Sequence, residues 1–261
     1  MDLEGGVAIV TGSSSGVGAS CARQLAEKGC NVVINYAHNE DGAVATRQAC
    51  EELGVETVIV QADVAEDDGC RALADAAEQK WGRIDVLVNN AGTTKFCAHE
   101  DLEGLSKQDF LDIYAVNTLG AYQMVRAVTP AMRRGGRGSI VNVASIAAVT
   151  GVGSSIAYAA SKGALVTMGL SLARALGPEI RVNTVCPGFI QGDWLERGMG
   201  KENYARSKAY LESNSPLRLT ATADTVAEAI VMFLIGPGIV TGETLILDGG
   251  HHLMQTPMAR R

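Results

Sequence analysis

Short apolar runs alternate along the chain with longer stretches whose apolar residues recur every three or four positions. Val7-Ala8-Ile9-Val10, Asn31 to Tyr36, Thr57 to Gln61, Ile84 to Val88, Ser139 to Ala144 and Arg181 to Val185 read as strands. Ala19 to Lys28, Asp41 to Leu53, Asp67 to Trp81, a long region from Gln108 toward Met132, and Ala157 to Leu176 read as helices, the first closed by Gly29. Strand and helix in strict alternation imply right-handed crossovers and a parallel sheet covered on both faces. The expected fold is α/β, a doubly wound parallel sheet in a single domain over residues 1–261. Ligands of such sheets sit beyond the carboxyl ends of the strands. Gly12 to Gly18, Asp63, Asn90 and Ser145 all fall at such ends.

Two of these places carry candidate chemistry. Between the first strand and helix lies Thr11-Gly12-Ser13-Ser14-Ser15-Gly16-Val17-Gly18. Glycines there allow a sharp turn and close approach of a ligand, and free amides at the start of a helix favour a pyrophosphate. The spacing is Gly-x-x-x-Gly-x-Gly, not the Gly-x-Gly-x-x-Gly of the usual dinucleotide fingerprint. The second place is Ser145, followed by the turn Thr150 to Ser155 and by Tyr158-Ala159-Ala160-Ser161-Lys162. Positions four apart share a helix face, so Tyr158 and Lys162 point the same way. A phenol has an ordinary pKa near 10, and a cation beside it favours the phenolate. Tyr204 and Lys208 have the same spacing, but they sit in a charged run with no strand ending in Ser before them.

Composition narrows the class. Of 261 residues 47% are hydrophobic, which excludes disorder as the main state. A formal net charge of -7 argues against a nucleic-acid or anionic-membrane surface. The cluster Arg133, Arg134, Arg137 reads as a helix C-terminus answering its own dipole. Six cysteines show no Cys-x-x-Cys and no zinc spacing with His. They are expected to be small apolar residues of a reduced, cytoplasmic protein. No signal peptide is read at the acidic N-terminus, and no apolar run is read as a membrane span. The pair His251-His252 is read without a partner carboxylate, so no metal is expected.

With these residues in view the chain resembles the short-chain dehydrogenases/reductases, Rossmann-fold enzymes that move a hydride between a nicotinamide and a carbonyl or alcohol carbon. The likeness rests on Thr11-Gly12-x-x-x-Gly16-x-Gly18, Asp63-Val64, Asn89-Asn90-Ala91-Gly92, Asn117, Ser145, Tyr158-x-x-x-Lys162 and Pro187-Gly188, in the family's order and spacing. Val240 to Gly250 looks like the family's last strand. The resemblance implies that Ser145 hydrogen-bonds the substrate oxygen, Tyr158 exchanges its proton, Lys162 binds the nicotinamide ribose and lowers the tyrosine pKa, and Asn117 helps a water chain reach solvent. It also implies cofactor contacts from Gly12, Ser14, Ser15, Gly16, Val17, Gly18, Tyr36, Asp63, Val64, Asn90, Ala91, Gly92, Pro187, Gly188 and Ile190. Where the family commonly has a Thr to hold the carboxamide, this chain has Gln191 as the candidate substitute.

The second strand ends Asn35-Tyr36-Ala37-His38-Asn39, with no acidic residue to repel a 2'-phosphate. NADP is therefore favoured over NAD, with Ser13, Ser14, His38 and Asn39 as its hydrogen-bonding candidates. The chain is similar to 3-oxoacyl-carrier-protein reductases and, about equally, to sugar and polyol dehydrogenases. The favoured substrate is an acyl-type carbonyl, free or carrier-bound, with Arg126, Arg133, Arg134 or Arg174 as a dock for an acidic carrier. Residues 193–214 correspond to the family's substrate-covering segment. The helix from Ala157 is apolar on nearly every side, so a second cover is expected from a homo-oligomer, a tetramer in the family. The tail, 251–261, is a candidate for a second interface.

Overall fold

Parallel strands form one sheet at the centre of the computed structural model, which describes residues 1–254. In chain order the elements are β1 (Val7–Val10), α1 (Gly16–Ala26), β2 (Asn31–Tyr36), α2 (Glu40–Glu51), β3 (Thr57–Gln61), α3 (Asp67–Trp81), β4 (Val86–Asn89), α4 (Lys107–Tyr114), α5 (Ala121–Arg134), β5 (Gly138–Val143), α6 (Ala147–Thr150), α7 (Ile156–Leu176), β6 (Ile180–Pro187), α8 (Asp193–Met199), α9 (Lys201–Asn214), α10 (Ala223–Ile235) and β7 (Thr244–Leu247). The strand order is β3-β2-β1-β4-β5-β6-β7. Winding reverses between β1 and β4, which register as Ala8 on Val86 and Val10 on Val88. A crevice opens at their carboxyl ends, where such sheets bind ligands.

Period-two alternation along β1 sends Ala8 and Val10 to one core and Val7 and Ile9 to the other. The first core is shared with α1 and α10 through Cys21, Leu25, Val226 and Ile230. The second is shared with α3 and α5 through Leu73, Met124 and Val128. Every one of these side chains is fully buried, so both faces of the sheet are covered. The expected doubly wound sheet is present in a single domain.

The differences from the sequence reading are local. The region from Gln108 is not one α-helix: a π-helical stretch, Ala115–Gly120, separates α4 from α5. The segment over the substrate side is two helices, parted at Gly200, whose φ of 80° only glycine adopts readily. Helix α7 is 21 residues long and, by length and composition alone, apolar enough to cross a membrane. The expectation that no run reaches that length is thus corrected. Ala157, Leu165, Ala173 and Leu176 of α7 are buried in the fold, whereas Leu170 is half exposed, as are Leu111, Leu119 and Tyr122 of the neighbouring α4–α5 stretch. The second side of α7 is open in the single chain. All six cysteines are free, and only Cys97 is not buried.

Candidate active site

The crevice is about 1650 Å³ and runs from the turn after β1, across the ends of β4 and β5, to the underside of α8 and α9. At its nucleotide end Gly12 and Gly16 take φ of 64° and 54°, the left-handed region that requires glycine for the turn. Helix α1 starts on Ser15, whose side chain makes no capping hydrogen bond. The first amides of α1 are therefore left to whatever enters the crevice. Gly18 stands off the wall. A Cβ there would overlap the Gly12 carbonyl oxygen and Asn90 Nδ2, so this glycine is for close packing of helix against turn.

The turn is tied to its neighbours by side chains that the sequence reading left unassigned or gave another task. Asn35 Oδ1 accepts from Gly12 N at 2.9 Å, and its Nδ2 donates to Ala62 O at 3.0 Å. Thr11 Oγ1 accepts from the amides of Asn90 and Ala91, both at 3.0 Å. Asn90, expected to touch the cofactor, also lines the crevice, and its Nδ2 donates to the carbonyls of Thr11 and Gly12. The available signal was polarity at strand ends: a buried Asn in a β-branched run must find partners.

Of the predicted cofactor residues, Gly12, Ser14, Ser15, Gly16, Val17, Asp63, Val64, Asn90, Ala91, Gly92, Pro187, Gly188 and Ile190 line the crevice with Tyr158, Lys162 and Ser145. Tyr36 does not. It is buried with the α1-side core, and Ala37 and His38 take the wall at the end of β2. Asn39 is occupied as the N-cap of α2, accepting from Gly42 N and donating to Ser14 O. Gln191 lines the crevice but donates to Thr220 Oγ1 at 3.0 Å.

At the chemical end Ser145, two residues past β5, lines the crevice with Tyr158 and pulls its phenol down. Ser155 caps α7 by accepting from Tyr158 N at 3.2 Å, which fixes where the tyrosine leaves the helix. Lys162 is buried, with Nζ 2.8 Å from Val143 O and 5.8 Å from the Tyr158 ring centroid. Burial dominates both ionisations. It pushes the Tyr158 phenol up to about 12, against the pull of Ser145, and pushes the Lys162 ammonium down to about 8. In the protein alone, desolvation is the largest influence on the phenol's proton.

Asn117 lies in the π-helical stretch, off the crevice wall and 1% exposed. Its Oδ1 accepts from Thr93 N at 2.8 Å, and its Nδ2 donates to Thr93 O and Ser161 Oγ, both at 2.9 Å. Ser161 Oγ in turn donates to Tyr158 O at 2.8 Å. The side chain expected to serve a water chain is a strut between the Thr93 wall and the catalytic helix.

Two further groups weighed in the sequence have structural partners. Tyr204 accepts from Gly192 N at 3.1 Å and Lys208 pairs with Glu212, so this second Tyr-Lys pair holds α9 in place. His252 does have a carboxylate beside it: Nδ1 is 2.9 Å from Asp248 Oδ1, but that carboxylate also accepts from the amides of Gly250 and His252. Residues 255–261 of the tail lie outside the described residues.

The family described as "Enoyl-(Acyl carrier protein) reductase" matches residues 12–252. A protein of Streptomyces violaceoruber named "Granaticin polyketide synthase putative ketoacyl reductase 2" is 39% identical over 251 residues, covering 96% of this chain and 98% of that protein. A 3-oxoacyl-(acyl-carrier-protein) reductase of Staphylococcus epidermidis is 33% identical over 248 residues, covering 94% and 98%. The chain belongs to the short-chain dehydrogenase/reductase family. Among solved structures, NAD-bound xylitol dehydrogenase superposes with a TM-score of 0.87 at 27% identity, covering 96% of this chain and all of that one. As a short-chain dehydrogenase/reductase the protein is an oxidoreductase with a nicotinamide dinucleotide as cofactor.

The residues present fit that cofactor. An uncapped helix start suits a pyrophosphate, and the Lys162 ammonium spends one of its three donors on Val143, leaving two for ribose hydroxyls. Gly92 keeps the wall thin there, since a Cβ would stand 3.4 Å from Lys162 Nζ and from Asn117 Oδ1.

Proposed function

We propose that this oxidoreductase reduces a ketone of the 3-oxoacyl type, with NADPH preferred as hydride donor. The observation that carries the reading is the meeting of Ser145, Tyr158 and Lys162 on the wall at the chemical end of the crevice, with the half-buried Tyr158 phenol pushed up to about 12 and so protonated at neutral pH. In the reducing direction a protonated phenol at this place acts as the general acid. The bound nicotinamide supplies the hydride. As negative charge grows on the carbonyl oxygen, the Ser145 and Tyr158 hydroxyls donate to it, an interaction stronger in the transition state than in the ground state. Tyr158 then passes its proton to that oxygen. Lys162 holds a positive charge nearby that steadies the phenolate left behind.

Two further observations support the finer parts. The end of β2 offers no carboxylate: Asn35 is turned inward, and Ala37 and His38 form the wall, which leaves room for a 2'-phosphate. Both curated relatives quoted above are named as ketoacyl or 3-oxoacyl reductases, which favours an acyl substrate. Of the arginines suggested as a carrier dock, Arg126 pairs with Asp67 and Arg134 with Glu78, so Arg133 and Arg174 remain for it. The open side of α7 supports a homotetramer, tested by light scattering at micromolar concentration, and six free cysteines accord with a cytoplasmic setting.

Cofactor absorbance decides the function. A panel of 3-oxoacyl thioesters, simple ketones, sugars and polyols is offered with each dinucleotide. The expected result is NADPH oxidation by a 3-oxoacyl thioester, and polyol oxidation with inert thioesters would overturn the proposal.

A further inference from the structure

The chemical end of the crevice is roofed by aromatic rings. Trp194, in the first turn of α8, has its ring centroid 6.2 Å from that of Tyr158 at an interplanar angle of 46°. Phe96, from the loop after β4, stands 5.6 Å from Trp194 at 55°. All three rings line the crevice, with Val152, Leu195 and Met199 beside them. Trp194 keeps 46% of its surface exposed, so its ring is not a core side chain with its contacts already satisfied.

The roof is built into the backbone. Gly198 lies inside α8, where glycine costs roughly 1 kcal/mol against alanine. Its reason is Phe96: a Cβ at 198 would overlap the Phe96 ring. The missing methyl lets α8 settle onto Phe96 and brings Trp194, four residues earlier, over the catalytic phenol.

We propose that Trp194, held by Phe96 on Gly198, is a specificity-determining residue that stacks on a flat substituent next to the substrate carbonyl, so that ketones carrying an aryl or conjugated group are preferred to straight-chain ones. The inference rests on the ketone-reductase reading above. A carbonyl whose oxygen meets Ser145 and Tyr158 has its substituent under Trp194, the ring closest over that phenol. A planar group matches offset or tilted packing against the indole, and a flexible chain gains less from it and loses rotamer freedom.

The test uses matched pairs that differ only in a phenyl or a hexyl group: 3-oxo-3-phenylpropanoyl against 3-oxononanoyl thioesters of N-acetylcysteamine, and acetophenone against 2-octanone. The expected kcat/KM ratio favours phenyl by about ten-fold or more, the scale of one aromatic pair plus its burial. Trp194→Ala should bring that ratio near one, Trp194→Phe should keep most of it, and Gly198→Ala should lower it while the protein stays folded. A wild-type preference for hexyl, or a Trp194→Ala variant that loses both members of a pair alike, overturns the proposal. If the thioesters are inert and the plain ketones show the ratio, the 3-oxoacyl reading falls and the role of Trp194 stands. If no ketone is reduced, the unfolding midpoint with dinucleotide and each ketone reads occupancy. A larger rise with acetophenone that Trp194→Ala abolishes then supports the proposal, and equal rises sink it.

Discussion

Gly18 and Gly198 both sit in helices, and at both a methyl group would overlap a neighbour, yet the neighbours differ in kind. At Gly18 the obstacle is the carbonyl oxygen of Gly12, in a turn fixed by Asn35, Asn90 and Thr11. At Gly198 it is the edge of a phenylalanine ring that can turn aside. The nucleotide half of the crevice is thus held by backbone and buried amides, while the α8–α9 half rests on rings and a few bonds such as Tyr204 to Gly192. The first half can hold a reacting geometry, and the second can adapt to a substrate. Chemistry should fail sharply when the first is touched, and selectivity should drift when the second is.

The largest effect tests the fixed half at its proton. Tyr158→Phe should cut turnover by roughly 10²–10⁴-fold while dinucleotide binding, read by fluorescence titration, stays nearly intact. Tyr204→Phe loses only a bond of the adaptable half, to Gly192 N, and should cost a few-fold at most. Near-normal turnover in the first variant, or a lethal second one, would remove the assignment.

Lys162→Met comes next, and it separates function from stability. In the folded chain burial holds the ammonium at about 8, against 10.5 as the ordinary value. Between those two pH values the unfolded chain keeps a proton that the folded chain has shed, so wild-type stability rises with pH across the window. Below pH 8 the buried charge costs folding about 3 kcal/mol, and above pH 10.5 that cost is gone. The variant should lose activity, be more stable than wild type in urea at pH 7, and lose that advantage by pH 10.5. An advantage of the same size at both pH values would show that the charge is not the cause.

Gly18→Ala follows at about 1–3 kcal/mol of destabilisation, the range for a methyl forced into a packed site, with weakened dinucleotide binding. Gly198→Ala should change stability by less than about 1 kcal/mol, since the helix gains what the ring contact loses. Chemical denaturation of the two variants side by side checks it. Equal losses would mean that the two halves are equally stiff.

The same contrast explains what could be read from the chain. Strands with β-branched runs, the glycine turn and the Ser145, Tyr158, Lys162 trio were legible because periodicity and short-range spacing encode them. Thr57–Gln61 and Asp67–Trp81 were placed to the residue. Asn35, Ser161 and the Phe96–Trp194 pair were not legible, since these partners lie 23 or more residues away or across the crevice. The shifts at Tyr158 and Lys162 were not legible for a related reason: spacing shows that a cation is near, and only the fold shows how far each group is desolvated.

The smallest effect concerns which dinucleotide the fixed half prefers, and here the structure moves the test by one residue. Tyr36 carries the sequence-based expectation, but its side chain is buried with the α1-side core, so Tyr36→Asp would bury a carboxylate and damage the fold before it could meet a ligand. Ala37 lies on the crevice wall, partly exposed, beside the amide-held turn. An Asp there would stand near solvent, where its repulsion of a 2'-phosphate is screened rather than lost, and its two oxygens could accept from free ribose hydroxyls. Ala37→Asp should move the ratio of NADPH to NADH efficiency toward NADH by about ten-fold, or about 1.4 kcal/mol, with kcat on the better cofactor little changed. Because this half is stiff, the charge should act without rearranging α8 and α9, and the aryl-to-alkyl ratio should not move. A cofactor ratio that stays put would place the adenosine ribose away from the end of β2, and a shift in both ratios would couple the two halves.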